Sequence, residues 1–130
     1  MAEQTMYTRS THEIAQTRRD LAPETQAAFD AFSRTVFAEG ALSAKMKQIV
    51  AVAAAHVTQC PYCIEGHTKA AMRSGATHEE LMEAIWVAVE MRAGGAYAHS
   101  AIAIATFGNE PEKPKATQTV RSPRRRSPAS

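Results

Sequence analysis

Residues 42–75 read LSAKMKQIVAVAAAHVTQCPYCIEGHTKAAMRSG, and the fold class turns on how this run is parsed. Ser43 offers a side-chain oxygen suited to capping a helix. After it, Met46, Ile49, Val50, Ala53 and Val57 recur at helical spacing. Pro61 cannot continue that helix, but its fixed φ suits the first turn of a new one. The second helix then extends through CIEGHTKAAMRS to Gly75, a plausible C-terminal stop.

Working outward, Thr11 to about Asp20 predicts a short polar helix. Pro23 fits the first turn of the next, with Ala27, Ala28, Phe29, Phe32 and Val36 as its apolar stripe and Gly40 as its end. Downstream, Thr77 and Glu80 form a capping box before a final helix carrying Leu81, Ile85 and Val89 and running toward Ile104. Gly94-Gly95 inside it predicts a kink or a close backbone approach. Trp86, Met46, Met72, Met82 and Met91 are expected to fill the core or a subunit interface. No segment alternates like a strand, so the expected fold class is all-α.

The chain has 130 residues, 45% hydrophobic but only 6% aromatic, which suits one domain with a thin, closely packed core and a tendency to oligomerise. Residues 1–108 are read as the helical domain and 109–130 as a disordered basic tail rich in Pro, Ser and Arg. The formal charge is +2, yet residues 110–130 carry six basic side chains against two acidic ones, leaving the body slightly acidic. Arg124, Arg125 and Arg126 could touch a polyanion, but a solvated tail is the expectation and a nucleic-acid partner is not. No apolar run approaches the roughly 20 residues that span a bilayer, and the N-terminal segment has no signal-peptide core. Two cysteines in such a chain point to the reducing cytoplasm, where a close pair is catalytic or metal-binding more often than structural.

That pair lies in QCPYCIEGH, Gln59 to His67. A thioredoxin-like reading needs flanking strands, and none is predicted. If Pro61 opens a helix, Cys60 is at its N-cap and Cys63 in its first turn. There free N–H groups and the helix dipole favour the reactive thiolate. His67 follows Cys63 by one turn on the same face, where an imidazole can take the thiol proton. Three arrangements are compatible with these residues. They can form a redox pair, a zinc site completed by His56 or His99, or a packed core. Tyr62, between the cysteines, could contact substrate or shield the thiolate.

The whole run to AYAHS, about residues 36–107, resembles the carboxymuconolactone decarboxylase-like family in its AhpD-like alkylhydroperoxidase branch. The resemblance rests on LS-x-K-x-K, C-x-x-C-x-x-x-H and GA-T-x-E-E-L-x-E-A taken together. It implies an all-α helical bundle with the C-x-x-C at the start of a core helix, assembled as trimers or hexamers. It also implies a thiol peroxidase in which Cys63 attacks a hydroperoxide, Cys60 resolves the sulfenic acid as a disulfide and His67 relays protons. The reductant would be an external dithiol, a lipoyl-bearing or thioredoxin-like protein, and no metal or cofactor is required.

The helix dipole by itself favours Cys60 as the more acidic thiol, whereas His67 favours Cys63. Where the family relay has a glutamate, twelve residues before the first cysteine, this chain has Gln48. Glutamine can hold a hydrogen bond but accepts no proton, so Glu65, Glu39, Glu90, His56 and His99 become candidates for the missing base, with Glu65 disfavoured by its position two residues from Cys63. A protein disulfide reductase or a redox-sensing protein with weak peroxidase activity is the alternative.

Overall fold

The computed structural model describes residues 6–116, and among them there are five helices and no strand. Thr11 opens α1 (His12–Leu21), its hydroxyl accepting from the Ile14 N–H at 3.3 Å. Ala22 separates it from α2 (Pro23–Phe37), with the proline in the first turn as predicted. α2 stops at Phe37, before Gly40, and Ala38 is its C-cap.

α3 (Ala44–Thr58) begins at Ser43, whose hydroxyl accepts from the Met46 N–H at 3.1 Å. Gln59 ends it in the left-handed region, at φ 56° and ψ 49°. The N–H groups of both Gln59 and Cys60 return to the Ala55 carbonyl, so the chain reverses within two residues. α4 (Pro61–Arg73) follows at once and packs along α3.

Gly75, at φ 94°, closes α4 with a Schellman motif. The Ala76 N–H bonds the Ala71 carbonyl at 2.9 Å and the Gly75 N–H bonds that of Met72 at 3.0 Å. The turn buries Ala71 and Ala76 together in the core. The capping box then starts α5 (His78–Phe107). The Thr77 N–H donates to Glu80 Oε2 at 2.9 Å and the Glu80 N–H to Thr77 Oγ1 at 3.1 Å. Glu80 also pairs with Lys45 at 2.9 Å, tying the starts of α3 and α5. The Thr77 N–H and then the Lys45 ammonium hold its carboxyl below the ordinary range. This link is therefore complete at neutral pH and weakens only as acid protonates Glu80.

The core is small. Ile49 and Val52 from α3 meet Ala71 and Ala76 and Leu81 from α5, with Ala84 and Ile85 packed alongside. Val52 and Ala71 are completely buried, so the tightest contact uses small side chains. Val52→Ala is expected to cost about 2–3 kcal/mol in urea unfolding of the disulfide form. Val50→Ala, at a position 52% exposed, should stay within about 0.5 kcal/mol; equal losses at the two positions would refute this core.

Several expected core residues lie outside it. On α2, Ala27, Ala28, Phe29, Phe32 and Val36 are all exposed, and the inward face is Gln26, Asp30, Ser33 and Phe37. Gln26 and Asp30 hydrogen-bond each other at 2.9 Å, which lets a polar pair occupy that face. On α3 only Ile49 of the named stripe is buried to the full, while Met46, Val50 and Val57 are exposed. Trp86, Met72, Met82 and Met91 are also exposed, outside the core, which leaves for them the other place expected, a subunit interface.

α5 is assigned helix through Gly94-Gly95, and a Cβ on Gly95 would meet nothing within 4 Å. No close backbone approach requires that glycine among the described residues. The chain divides into two units directly after this pair, one ending at Gly95 and the other beginning at Ala96. Beyond α5, residues 111–116 have no regular structure. The rest of the expected tail, with Arg121 and Arg124 to Arg126, lies outside the described residues.

Candidate functional site

Cys60 is the N-cap of α4, and its Sγ accepts from the Cys63 N–H at 3.2 Å. The two cysteines are joined as a disulfide with Cα atoms 5.2 Å apart, a separation that bridging accommodates readily. A thiolate released here by reduction would face the unpaired N–H groups of the first helical turn.

His67 lies one turn beyond Cys63, and Gln48 from α3 reaches it: His67 Nδ1 and Gln48 Oε1 are 2.8 Å apart. With the amide oxygen as acceptor, Nδ1 carries the hydrogen, which leaves Nε2 as the nitrogen that can exchange a proton. Phe37, the last residue of α2, stacks on the imidazole with ring centroids 5.1 Å apart and planes at 27°. The ring is thus held at one nitrogen and on one face.

Cys63 and His67 line a cavity of about 430 Å³. Val36, Phe37 and Leu42 contribute from α2 and the loop after it. Lys47, Val50, Ala51, Ala54 and Thr58 contribute one face of α3. Lys47 is the only lysine, arginine or carboxylate side chain in that lining. Its Nζ donates to the Ala38 carbonyl at 2.5 Å, completing the end of α2. Cys60 does not line this space. A thiol, an imidazole held at one nitrogen and an apolar wall can bind a small substrate and move a proton beside sulfur.

Tyr62 faces elsewhere. Its hydroxyl donates to the Thr8 carbonyl at 2.7 Å and its ring meets Tyr7 edge-on. It lines a separate cavity of about 650 Å³ with residues 6–10 and Glu65. The expected contact of Tyr62 with substrate or thiolate is therefore not made in the Cys63 cavity; consecutive helical positions point about 100° apart.

None of the substitutes considered for a base lines the Cys63 cavity. Glu65 pairs with Lys69 at 2.6 Å, and that partner lowers its carboxyl below the ordinary range. His56 Nδ1 is 2.7 Å from the Val52 carbonyl. Glu39 and Glu90 are exposed. His99 is exposed in the second unit, and its side chain makes no hydrogen bond among the described residues. No group of three His, Cys, Asp or Glu side chains able to hold a metal ion occurs among the described residues, so the zinc arrangement finds no geometric support.

Sequence reasoning missed Phe37 and gave Lys47 no role. Lys47 was within reach: it belongs to LS-x-K-x-K, and Lys47, Val50, Ala54 and Thr58 share one face of α3.

Residues 23–107 match the family model described as the carboxymuconolactone decarboxylase family, and this chain belongs to that family. Among its relatives is "uncharacterized protein 4 in cox locus" of Paracoccus denitrificans, 67% identical over 80 residues that cover 62% of this chain and 72% of that one. An uncharacterized protein of Cupriavidus necator is 33% identical over 85 residues, 65% of this chain and 75% of its own length. The fold is shared with the crystal structure of an apo carboxymuconolactone decarboxylase family protein from Legionella pneumophila (TM-score 0.59, 33% identity, 72% of this chain and 84% of that one). It is shared too with a protein of Methanobacterium thermoautotrophicum (TM-score 0.61, 32% identity, 64% of this chain and 93% of that one). Family, fold and the bridged cysteine pair together fit a redox role. Among the described residues no helix is long and apolar enough to cross a membrane.

Proposed function

We propose that this protein is a thiol-dependent peroxidase that reduces organic or hydrogen peroxides through Cys63 and Cys60. The observation that carries this reading is that Cys63 and His67 open onto one apolar cavity, while Cys60, bridged to Cys63, lies outside its lining. His67 Nε2 takes the Cys63 proton. The thiolate attacks the terminal peroxide oxygen, the O–O bond breaks and the S–O bond forms. The leaving alkoxide recovers the proton as an alcohol. The Cys60 thiol then displaces hydroxide from the sulfenic acid, releasing water and closing the disulfide. An external dithiol, carried by a lipoyl-bearing or thioredoxin-like protein, returns two electrons and two protons.

Turnover of this kind suits the cytoplasm, where dithiol donors are kept reduced. Assembly as a trimer or hexamer belongs to the same proposal, and the exposed Phe29 and Phe32 of α2 support it. The neutral Gln48 at His67 favours a second reading, a protein disulfide reductase or redox sensor with weak peroxidase activity.

The test counts free thiols per chain on metal-free, reduced protein before and after one modest dose of tert-butyl hydroperoxide. A fall from two to none within seconds is expected. Two thiols persisting for many minutes would move the assignment to disulfide exchange.

A further inference from the structure

The cavity beside Cys63 is apolar on nearly every side, yet Lys47 is among the residues that line it, with its ammonium held at the end of α2. An ammonium has three donors, and the Ala38 carbonyl takes one. Lys47 makes no ion pair among the described residues, and no carboxylate lines the cavity. The other lysine of LS-x-K-x-K differs, since Lys45 is neutralised by Glu80 at 2.9 Å. A cation left without an anionic partner beside apolar walls attracts a negative charge more strongly than it would in bulk water. The cavity, about 430 Å³, is within the range of small-molecule sites.

We propose that Lys47 selects the substrate: the site takes hydroperoxides with an aliphatic body and a carboxylate, the chain lying on Val36, Leu42 and Val50 and the carboxylate bonding the Lys47 ammonium. This rests on the peroxidase reading above and assigns its substrate class. Lys47 is a specificity residue here, touching the substrate away from the reacting oxygens.

The test compares oxidation of reduced protein by linoleic acid hydroperoxide and by its methyl ester, below micellar concentrations, with tert-butyl hydroperoxide as a small neutral reference. The free acid is expected to react about tenfold faster than the ester, the scale of one charge-assisted hydrogen bond. Lys47→Gln keeps a donor for Ala38 and should bring the ratio to about one, while Lys47→Arg restores it. In each of the three proteins the two rates are referred to that with tert-butyl hydroperoxide, which carries no charge for Lys47 to bond, so that a general change in activity cancels. A ratio near one in the native protein, or one unchanged in Lys47→Gln, overturns the assignment. If no hydroperoxide oxidises the pair, the peroxidase reading falls separately, and binding to the disulfide form decides the carboxylate site. Octanoate should then bind about tenfold tighter than 1-octanol, and Lys47→Gln should abolish the difference; equal binding of the two by the native protein refutes it.

Discussion

Cys63→Ser is expected to lower hydroperoxide consumption by at least about 10³-fold, as for loss of other covalent nucleophiles. Cys60→Ser should instead react once and stop as a sulfenic acid on Cys63 that dimedone traps. The two substitutions separate two physical effects. The dipole of α4 acts most strongly on Cys60, its N-cap, and taken alone would make that thiol the nucleophile. Substrate access and the proton acceptor act on Cys63, which shares the apolar cavity with His67. A nucleophile needs the peroxide within reach as well as a stabilised charge, so position decides. Mass spectrometry of the dimedone adducts checks this assignment. An adduct on Cys60 in the Cys63→Ser protein, formed at the native rate, would reverse the roles.

The other large effect is a gain. Gln48→Glu should raise the second-order rate with tert-butyl hydroperoxide by about 10²-fold, the lower end of what general acid–base assistance supplies. Gln48 Oε1 already stands 2.8 Å from His67 Nδ1, so a carboxylate introduced there inherits the contact without rebuilding the site. It would stabilise the imidazolium formed when Nε2 accepts the thiol proton, which the neutral amide does less well. Gln48→Ala removes the contact altogether and should slow the native rate, because the ring then loses its fixed tautomer. Stopped-flow rates across pH 5–9 would check both. A Gln48→Glu rate equal to or below the native one would mean that the amide is not what limits the chemistry.

Much of the architecture was legible because the helix ends carry local chemistry. Ser43, Pro61, Gly75 and the Thr77–Glu80 box act through their own backbone neighbourhoods, and each lies where its side chain or φ preference puts it. The meeting of Gln48 and His67 was legible too, since it follows from counting rises along two helices joined by a short turn. The buried faces were much less so. α3 is apolar around most of its circumference, so periodicity alone could not choose the face of Val52 and Ala55 over that of Val50 and Val57. Ala55, Ala71, Ala76 and Ala88 are buried but add little to an apolar pattern that favours large side chains. Phe37 and Lys47 join the site through the packing of α2 against α3, and Tyr62 turns toward residues 6–10. These are contacts between segments, which no single window of sequence contains.

The two-residue reversal at Gln59 and Cys60 has a consequence for how this chain can vary. Inserting one residue there would advance α4 by about 100° around its axis, carrying His67 off Gln48 and Cys63 out of the cavity. Deleting one would turn it the other way. Substitutions can accumulate along α3 and α4, but the number of residues between Gln48 and His67, nineteen positions apart, behaves as a phase that cannot drift. The loop from Ala38 to Ser43 is tied differently, by the bond from Lys47, by Leu42 in the cavity lining and by Ser43 as the cap of α3. Its length sets how α2 meets α3 and leaves the phase between α3 and α4 untouched.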